Sequence, residues 1–241
     1  MKTLIFFEMF FYTPDINRLQ YALNEEESEH ALRSLRLKEG DEISLTDGSG
    51  GLYRARIDKI QRKTCLVSVL EHRAEYGKRP YRIHIGIAPT KNIARFEWFV
   101  EKATEMGIDE ITPLLVERSE RKHLSIARLQ RIMIAAMKQS QKAYLPKINE
   151  MTNLEQWLET QTCTCKYIAH CGAGSRQSLK TAYQPQQDVA IAIGPEGDFS
   201  VQEVAKALAC GFAAISLGDS RLRTETAGIA ACCGVHLLSA V

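Results

Sequence analysis

From Tyr81 to the C-terminus, short apolar runs alternate with longer stretches in which apolar residues recur at helical spacing. Ile83 to Ala88, Ile111 to Val116, Tyr167 to His170, Val189 to Ile193 and Ala214 to Leu217 read as strands. Asn92 to Met106, Ile126 to Tyr144, Val201 to Cys210 and Thr226 to Ala240 read as helices. This alternation demands a parallel sheet covered by helices, because successive parallel strands need a crossover and the crossovers bury the sheet's faces. Local punctuation agrees. Phe96, Phe99, Val100 and Ala103 share one face of the first helix and Gly107 is placed to cap its end. Ser200 and Glu203 form a capping box, Gly211 stops the helix that follows it, and Pro146 closes the long helix.

The first third of the chain reads differently. Asp41 to Thr46, Leu52 to Ile60 and Thr64 to Leu70 are strand-like, with a strong turn at Asp47-Gly48-Ser49-Gly50-Gly51. Short strands joined by tight turns suggest a small antiparallel barrel or sheet. Asn24 to Leu37 reads as a short helix before them, and Glu71 to Pro80 as the linker. At 241 residues the chain has room for two modest domains. No uncharged apolar run approaches the ~20 residues that a membrane-crossing helix needs.

The seven cysteines lie mostly in apolar surroundings, which suggests reduced thiols in a cytoplasmic protein. The apolar N-terminus superficially resembles a signal peptide, but Glu8 interrupts it and no small-residue cleavage site precedes Pro14. The formal net charge of +2 is uninformative, whereas its distribution is not. Residues 51–82 hold nine Lys/Arg against three Asp/Glu, and residues 117–147 hold eight against two. Two basic stretches fit a polyanion footprint, and they equally fit two solvated faces.

Two loops carry the chemistry. Ile193-Gly194-Pro195-Glu196-Gly197-Asp198-Phe199-Ser200 joins a buried strand to a capped helix. In open α/β sheets ligands bind at the carboxyl ends of strands, where glycine lets backbone N–H groups approach them. Leu217-Gly218-Asp219-Ser220-Arg221-Leu222-Arg223-Thr224-Glu225-Thr226-Ala227 likewise follows a strand and opens a helix. Each alone reads as an ordinary turn or helix cap; together, at strand ends, they point to a ligand site. Other segments carry less. His170-Cys171-Gly172-Ala173-Gly174-Ser175-Arg176-Gln177 follows a strand, but Gln177 stands where a dinucleotide fingerprint needs glycine. Cys163, Cys165, His170 and Cys171 are spaced unlike common zinc sites, so no metal is expected. No phosphate-binding P-loop and no Gly-x-Ser-x-Gly nucleophile motif occurs.

The pair Gly194-Pro195-Glu196-Gly197 and Leu217-Gly218 with Arg221-Leu222-Arg223-Thr224-Glu225-Thr226-Ala227 resembles the cofactor loops of the ribosomal RNA small subunit methyltransferase E family, in the SPOUT superfamily. The resemblance covers nearly the whole chain. Leu35-Arg36-Leu37-Lys38-Glu39-Gly40-Asp41 with Asp47-Gly48 is similar to the family's PUA-like barrel, and Lys102-Ala103-Thr104-Glu105-Met106-Gly107 and Gln139-Ser140 with Pro146 to its middle region. Asp198 stands where the family usually has a second glycine, and Lys142 where arginine is usual. The family's first strand corresponds to Phe10-Phe11-Tyr12, which makes residues 1–8 an extension and Met9 a candidate start.

The resemblance implies a PUA-like RNA-binding β-barrel over residues 1–76 and a parallel-sheet methyltransferase domain with a trefoil knot over 80–241. It implies S-adenosylmethionine-dependent methylation of uridine N3 in 16S ribosomal RNA of the 30S subunit, by a homodimer. The cofactor would lie against Ile193, Gly194, Glu196, Gly197, Leu217, Gly218, Leu222, Arg223, Thr224, Thr226 and Ala227. Arg33, Arg36, Arg54, Arg56, Arg118, Arg121, Lys122 and Lys142 would contact RNA. Uridine N3 must lose its proton, so Arg223 is expected to stabilise the uracil anion and Glu225 to accept the proton, to hold Arg223 or to cap the helix, with Glu196 the second-choice base. The alternative is a non-catalytic RNA-binding or ribosome-assembly protein on the same fold.

Overall fold

A computed structural model describes residues 9–240 apart from 17, 18 and 173; the extension expected over residues 1–8 lies outside them. Contacts divide the chain into two units, Met1–Lys78 with Ile134–Leu145, and Arg79–Met133 with Pro146–Val241.

The first unit is built on a five-stranded sheet. Its elements are β1 (Phe11–Tyr12), β2 (Gln20–Ala22), α1 (Glu25–Glu29), β3 (Glu42–Thr46), β4 (Leu52–Gln61) and β5 (Thr64–Arg73), in spatial order β1-β3-β4-β5-β2. On β4, Ala55 and Ile57 are buried while Arg54 and Arg56, which alternate with them, are exposed, the period-two pattern of a sheet with one face on a core. Register shifts at Arg54/Ala55 and Ile57/Lys59 bend the β4–β5 pair. The core gathers Phe11, Leu23, Ile43, Leu45, Ile57 and Val67. The helix expected over Asn24 to Leu37 is shorter. Asn24 caps it by accepting the Glu27 N–H at 2.8 Å, a π-helical turn follows over His30–Ser34, and Arg36 at φ 57° ends the run.

The segment Ile134–Leu145, inside the stretch that chain order gives to the second domain, packs with the first unit. The Lys138 ammonium donates to the buried Glu27 carboxylate, Gly50 N–H donates to Ala143 O at 2.8 Å and Leu145 N–H to Gly48 O at 2.9 Å.

The second unit holds β6 (Ile83–Ile87), α2 (Ile93–Met106), β7 (Glu110–Leu115), α3 (Ile126–Gln139) as far as Met133, β8 (Lys147–Ile148), β9 (Thr152–Asn153), α4 (Leu154–Thr160), β10 (Cys165–Ala169), β11 (Gln177–Ser178), α5 (Leu179–Ala182), β12 (Val189–Ile193), α6 (Val201–Ala209), β13 (Ala213–Ser216) and α7 (Thr224–Ser239). Its sheet runs β11-β13-β10-β12-β6-β7-β8, with β9 also on β7, and its pairings are parallel. Strands β6 and β12 are buried at every position, as a sheet covered on both faces requires. The expected α/β architecture is the one that forms.

The caps on α2 and α6 are those read from sequence: Gly107 at φ 99° ends α2, and Ser200 and Glu203 close the capping box of α6. The long helix stops at Gln139 rather than at Tyr144. Gln141 takes φ 55°, its N–H donates to Lys138 O at 3.3 Å, and Lys142 N–H donates to Met137 O at 3.1 Å, a Schellman ending with no glycine to announce it. The last helix starts at Thr224, two residues early, because Arg223 is its extended N-cap. The short elements β2, β8, β9, α4, β11 and α5 have no periodic signal long enough to read. No helix among the described residues is long and apolar enough to cross a membrane.

Helix α7 packs on α2, and Gly228 makes this close approach feasible: a Cβ there would stand 2.5 Å from Phe99 Cε2 and 3.0 Å from Ile87 Cδ1. Two effects oppose each other in Gly228→Ala. Helix propensity favours alanine by ~1 kcal/mol, whereas overpacking a tight core costs about 1–3 kcal/mol. Phe99 is fully buried and cannot yield, so the variant should be net destabilised, with a lower Tm in calorimetry.

Candidate functional site

A cavity of about 950 Å³ opens at the carboxyl ends of β10, β12 and β13. Register places those ends level, since Ala169 pairs with both Ile193 and Ile215. Three loops leave from there and are bonded to one another.

The loop after β12 turns at Pro195, whose carbonyl accepts the Asp198 N–H at 2.9 Å. Asp198 sits at φ 63°, a conformation that glycine adopts freely and Asp tolerates better than most residues. The loop after β13 turns at Gly218, φ 132°, where a side chain would be strained. It delivers Thr224, 5% exposed, whose hydroxyl donates to Gly194 O at 3.0 Å. The loop after β10 carries His170, Cys171 and Arg176. Cys171 N–H donates to Asp198 Oδ2 at 2.8 Å, while Asp198 Oδ1 accepts the Phe199 N–H at 2.8 Å. Thr224 therefore ties the loop after β13 to the loop after β12, and Asp198 ties the loop after β10 to it.

Ile193, Gly194, Glu196, Leu217, Gly218, Leu222, Arg223, Thr224 and Ala227 line the cavity together. Gly197, Thr226 and Glu225 are not among its lining residues. On α7 a residue two positions on points about 200° away, so Glu225 turns from the side on which Ala227 lines the cavity. Its carboxylate is buried, with Oε1 3.8 Å from Arg95 Nε and Oε2 without a hydrogen-bond partner. Glu196 is exposed, and its Oε1 accepts the Lys91 N–H at 3.1 Å.

The expected RNA contacts divide into two kinds. Arg33 pairs with Glu29, Arg54 with Glu42 and Glu71, and Arg56 with Asp58, all with at least half of the arginine exposed. Such pairs contribute roughly 0–1 kcal/mol and exchange readily for a phosphate. Arg36 and Lys122 are exposed, and Lys142 is half-buried after α3. Arg118 and Arg121 are engaged with backbone: Arg118 donates to Gly197 O at 2.6 Å, and Arg121 to Thr90 O at 3.2 Å and Lys91 O at 2.8 Å.

Sequence reading set the 170–177 segment aside because it fails a dinucleotide fingerprint, yet His170, Cys171, Gly172 and Arg176 form the cavity's third wall. The signal available was the one used for the other two loops, a glycine-containing turn directly after a strand. His170 is 9% exposed and its Nδ1 has no partner; burial pushes the imidazole below its ordinary value, against the opposing charge of Asp198. The cavity combines apolar Ile193, Leu217 and Leu222 with Arg176, Arg221 and Arg223 and with Glu196 and Asp219. It suits a ligand with an apolar body and charged ends.

The RNA methyltransferase domain family matches residues 77–236, and the RNA methyltransferase PUA domain family matches residues 23–70. A ribosomal RNA small subunit methyltransferase E from Synechocystis is 31% identical over 86% of this chain and 69% of its own. The crystal structure of a "probable rRNA-methyltransferase" from Porphyromonas gingivalis superposes with TM-score 0.90 at 44% identity, over 95% of this chain and 98% of that one. A ribosomal RNA small subunit methyltransferase E from Neisseria gonorrhoeae, determined bound to S-adenosyl methionine, gives TM-score 0.85 at 25% identity, over 96% and 98%.

Asp198 allows the loop linkage to be tested separately from backbone strain. Asp198→Gly keeps φ free and loses only the two hydrogen bonds, so it should cost about 1–2 kcal/mol and speed amide exchange at Cys171. Asp198→Ala adds a strained left-handed alanine and should be the less stable of the two in urea unfolding.

Proposed function

The chain belongs to the ribosomal RNA small subunit methyltransferase E family, and from that membership we propose that it methylates N3 of a uridine in 16S ribosomal RNA of the 30S subunit. The observation that carries this reading is the cavity at three level strand ends, with its apolar floor and a permanent cation at its edge. Its residues fit S-adenosylmethionine. Leu217 and Leu222 offer apolar faces to an adenine, and the turns at Gly194 and Gly218 expose backbone donors and acceptors. Gly197 and Thr226 act from outside the lining.

Bound there, S-adenosylmethionine supplies an electrophilic methyl group. The protein's task is to present uracil N3 without its proton. Arg223, exposed at the N-cap of α7 and lining the cavity, places a permanent charge and planar donors where negative charge on the uracil oxygens develops. Glu225, turned toward Arg95, serves as a structural anchor for the first turn of α7 rather than as the base. Glu196, which lines the cavity alongside Asp198 and Asp219, is the next candidate for the base, with solvent the other acceptor.

Residues 1–76 act as the PUA-like RNA-binding barrel and 80–241 as the methyltransferase domain. The SPOUT resemblance carries with it a trefoil knot in this domain. The protein works in the cytoplasm as a homodimer. Helix α7 supports the dimer: it is apolar nearly all round, Leu237 on it is 71% exposed, and Trp98 on neighbouring α2 is 43% exposed.

Two measurements check this. Tritiated-methyl transfer onto undermethylated 30S subunits should label 16S ribosomal RNA, and no incorporation would favour a non-catalytic RNA-binding protein. Arg223→Ala should slow single-turnover transfer by about 10²–10³-fold near pH 7 with cofactor saturating. For the dimer, Leu237→Arg should halve the mass seen in sedimentation equilibrium.

A further inference from the structure

The second basic stretch and the Gly194–Ser200 loop are separate features of the sequence, and the fold brings them into contact. Arg118 follows β7, and one guanidinium N–H reaches Gly197 O at 2.6 Å. Its aliphatic stem lies beside Gly197: a Cβ built there would come within 3.3 Å of Arg118 Cδ. The segment that carries Arg118 is itself pinned, since Glu117 N–H donates to Glu203 Oε1 at 2.7 Å. Gly197 is thus braced from outside the cavity by a residue of the basic stretch.

A guanidinium offers five N–H donors in a fixed fork. The bond to Gly197 uses one of them, and Arg118 remains exposed. The rest of the fork has the geometry to take a phosphate with two parallel hydrogen bonds. We propose that Arg118 is a positioning residue that couples RNA binding to cofactor binding, with an RNA phosphate on its outer edge and the cofactor loop on its inner edge. The proposal rests on the methyltransferase reading. A phosphate on the fork restricts the side chain to the rotamer that holds Gly197, so RNA stiffens the loop; a filled cavity holds Gly197 still, so the fork is already placed for RNA. Thermodynamic linkage makes the two effects equal: whatever factor RNA adds to cofactor affinity, the cofactor adds to RNA affinity.

The test titrates the full chain with S-adenosylhomocysteine, which cannot donate a methyl group, with and without a saturating single-stranded oligoribonucleotide. The wild type should gain about 5-fold or more in affinity with RNA present, within the usual range of coupling. Arg118→Ala should bind S-adenosylhomocysteine several-fold more weakly alone and gain nothing from RNA. Lys122→Ala, exposed in the same segment, should need more RNA to saturate but keep the full gain. Gly197→Ala, which pushes the arginine stem aside with the charge intact, should reduce the gain as Arg118→Ala does and guards against misfolding of that variant. A full gain in folded Arg118→Ala, or none in the wild type, overturns the coupling. A wild type that binds no S-adenosylhomocysteine overturns the methyltransferase reading and the coupling with it.

Discussion

Strand β10 lies between two strands that both follow it in the chain, and the functional end of the second unit depends on that position. Residues 165–169 pair with 189–193 on one side, and 167–169 with 213–215 on the other, all in parallel register. Three loops therefore emerge side by side at one level, and backbone groups freed at the strand ends find partners across the loops. Gly194 O accepts from the Thr224 hydroxyl, and Cys171 N–H donates to the Asp198 carboxylate. Each bond contributes only about 1 kcal/mol. Their effect is geometric, because they hold segments separated by 27 to 30 residues against a common cavity.

Elements whose signal is local were legible in the sequence. Strand β12 reads from its own five apolar residues, α6 from its capping box, and α2 from one apolar face and a terminal glycine. What escaped depends on partners remote in the chain. Strand order is not written in any single strand, so the 170–176 loop was judged by a motif it fails rather than by its neighbours. The end of α3 escaped because Gln141 adopts the left-handed conformation that glycine would have advertised. The segment Ile134–Leu145 joined the first unit through Lys138 and Glu27, residues 111 apart.

That pair also shows why counting cations overstates a footprint for polyanions. Of the basic residues in 117–147, Lys138 is buried against Glu27 and Arg121 binds backbone carbonyls, whereas Arg128 and Lys147 pair with Glu97 and Glu110 while staying exposed. The burial of Lys138 makes it structural: removing one partner of a buried pair leaves an uncompensated charge and costs about 3–5 kcal/mol, against roughly 0–1 for the exposed pairs of Arg54 and Arg56. Burial, rather than charge, separates the cations that hold the fold from those free to meet a phosphate.

Helix geometry separates the residues at the start of α7 in a similar way. Arg223, Thr224 and Ala227 face the cavity, so the first turn presents a cation, a loop-tying hydroxyl and a small methyl group there. Glu225 lies between them in sequence and on the other side in space, 7% exposed beside Arg95. An anion at the second position of a helix interacts favourably with the N-terminal dipole, which suits Glu225 to anchoring the first turn. A cation at the N-cap is opposed by the same dipole, so Arg223 gains nothing locally from its position. What can compensate that field is negative charge arriving in the cavity, which is the service a cation at a strand-end ligand site is placed to give.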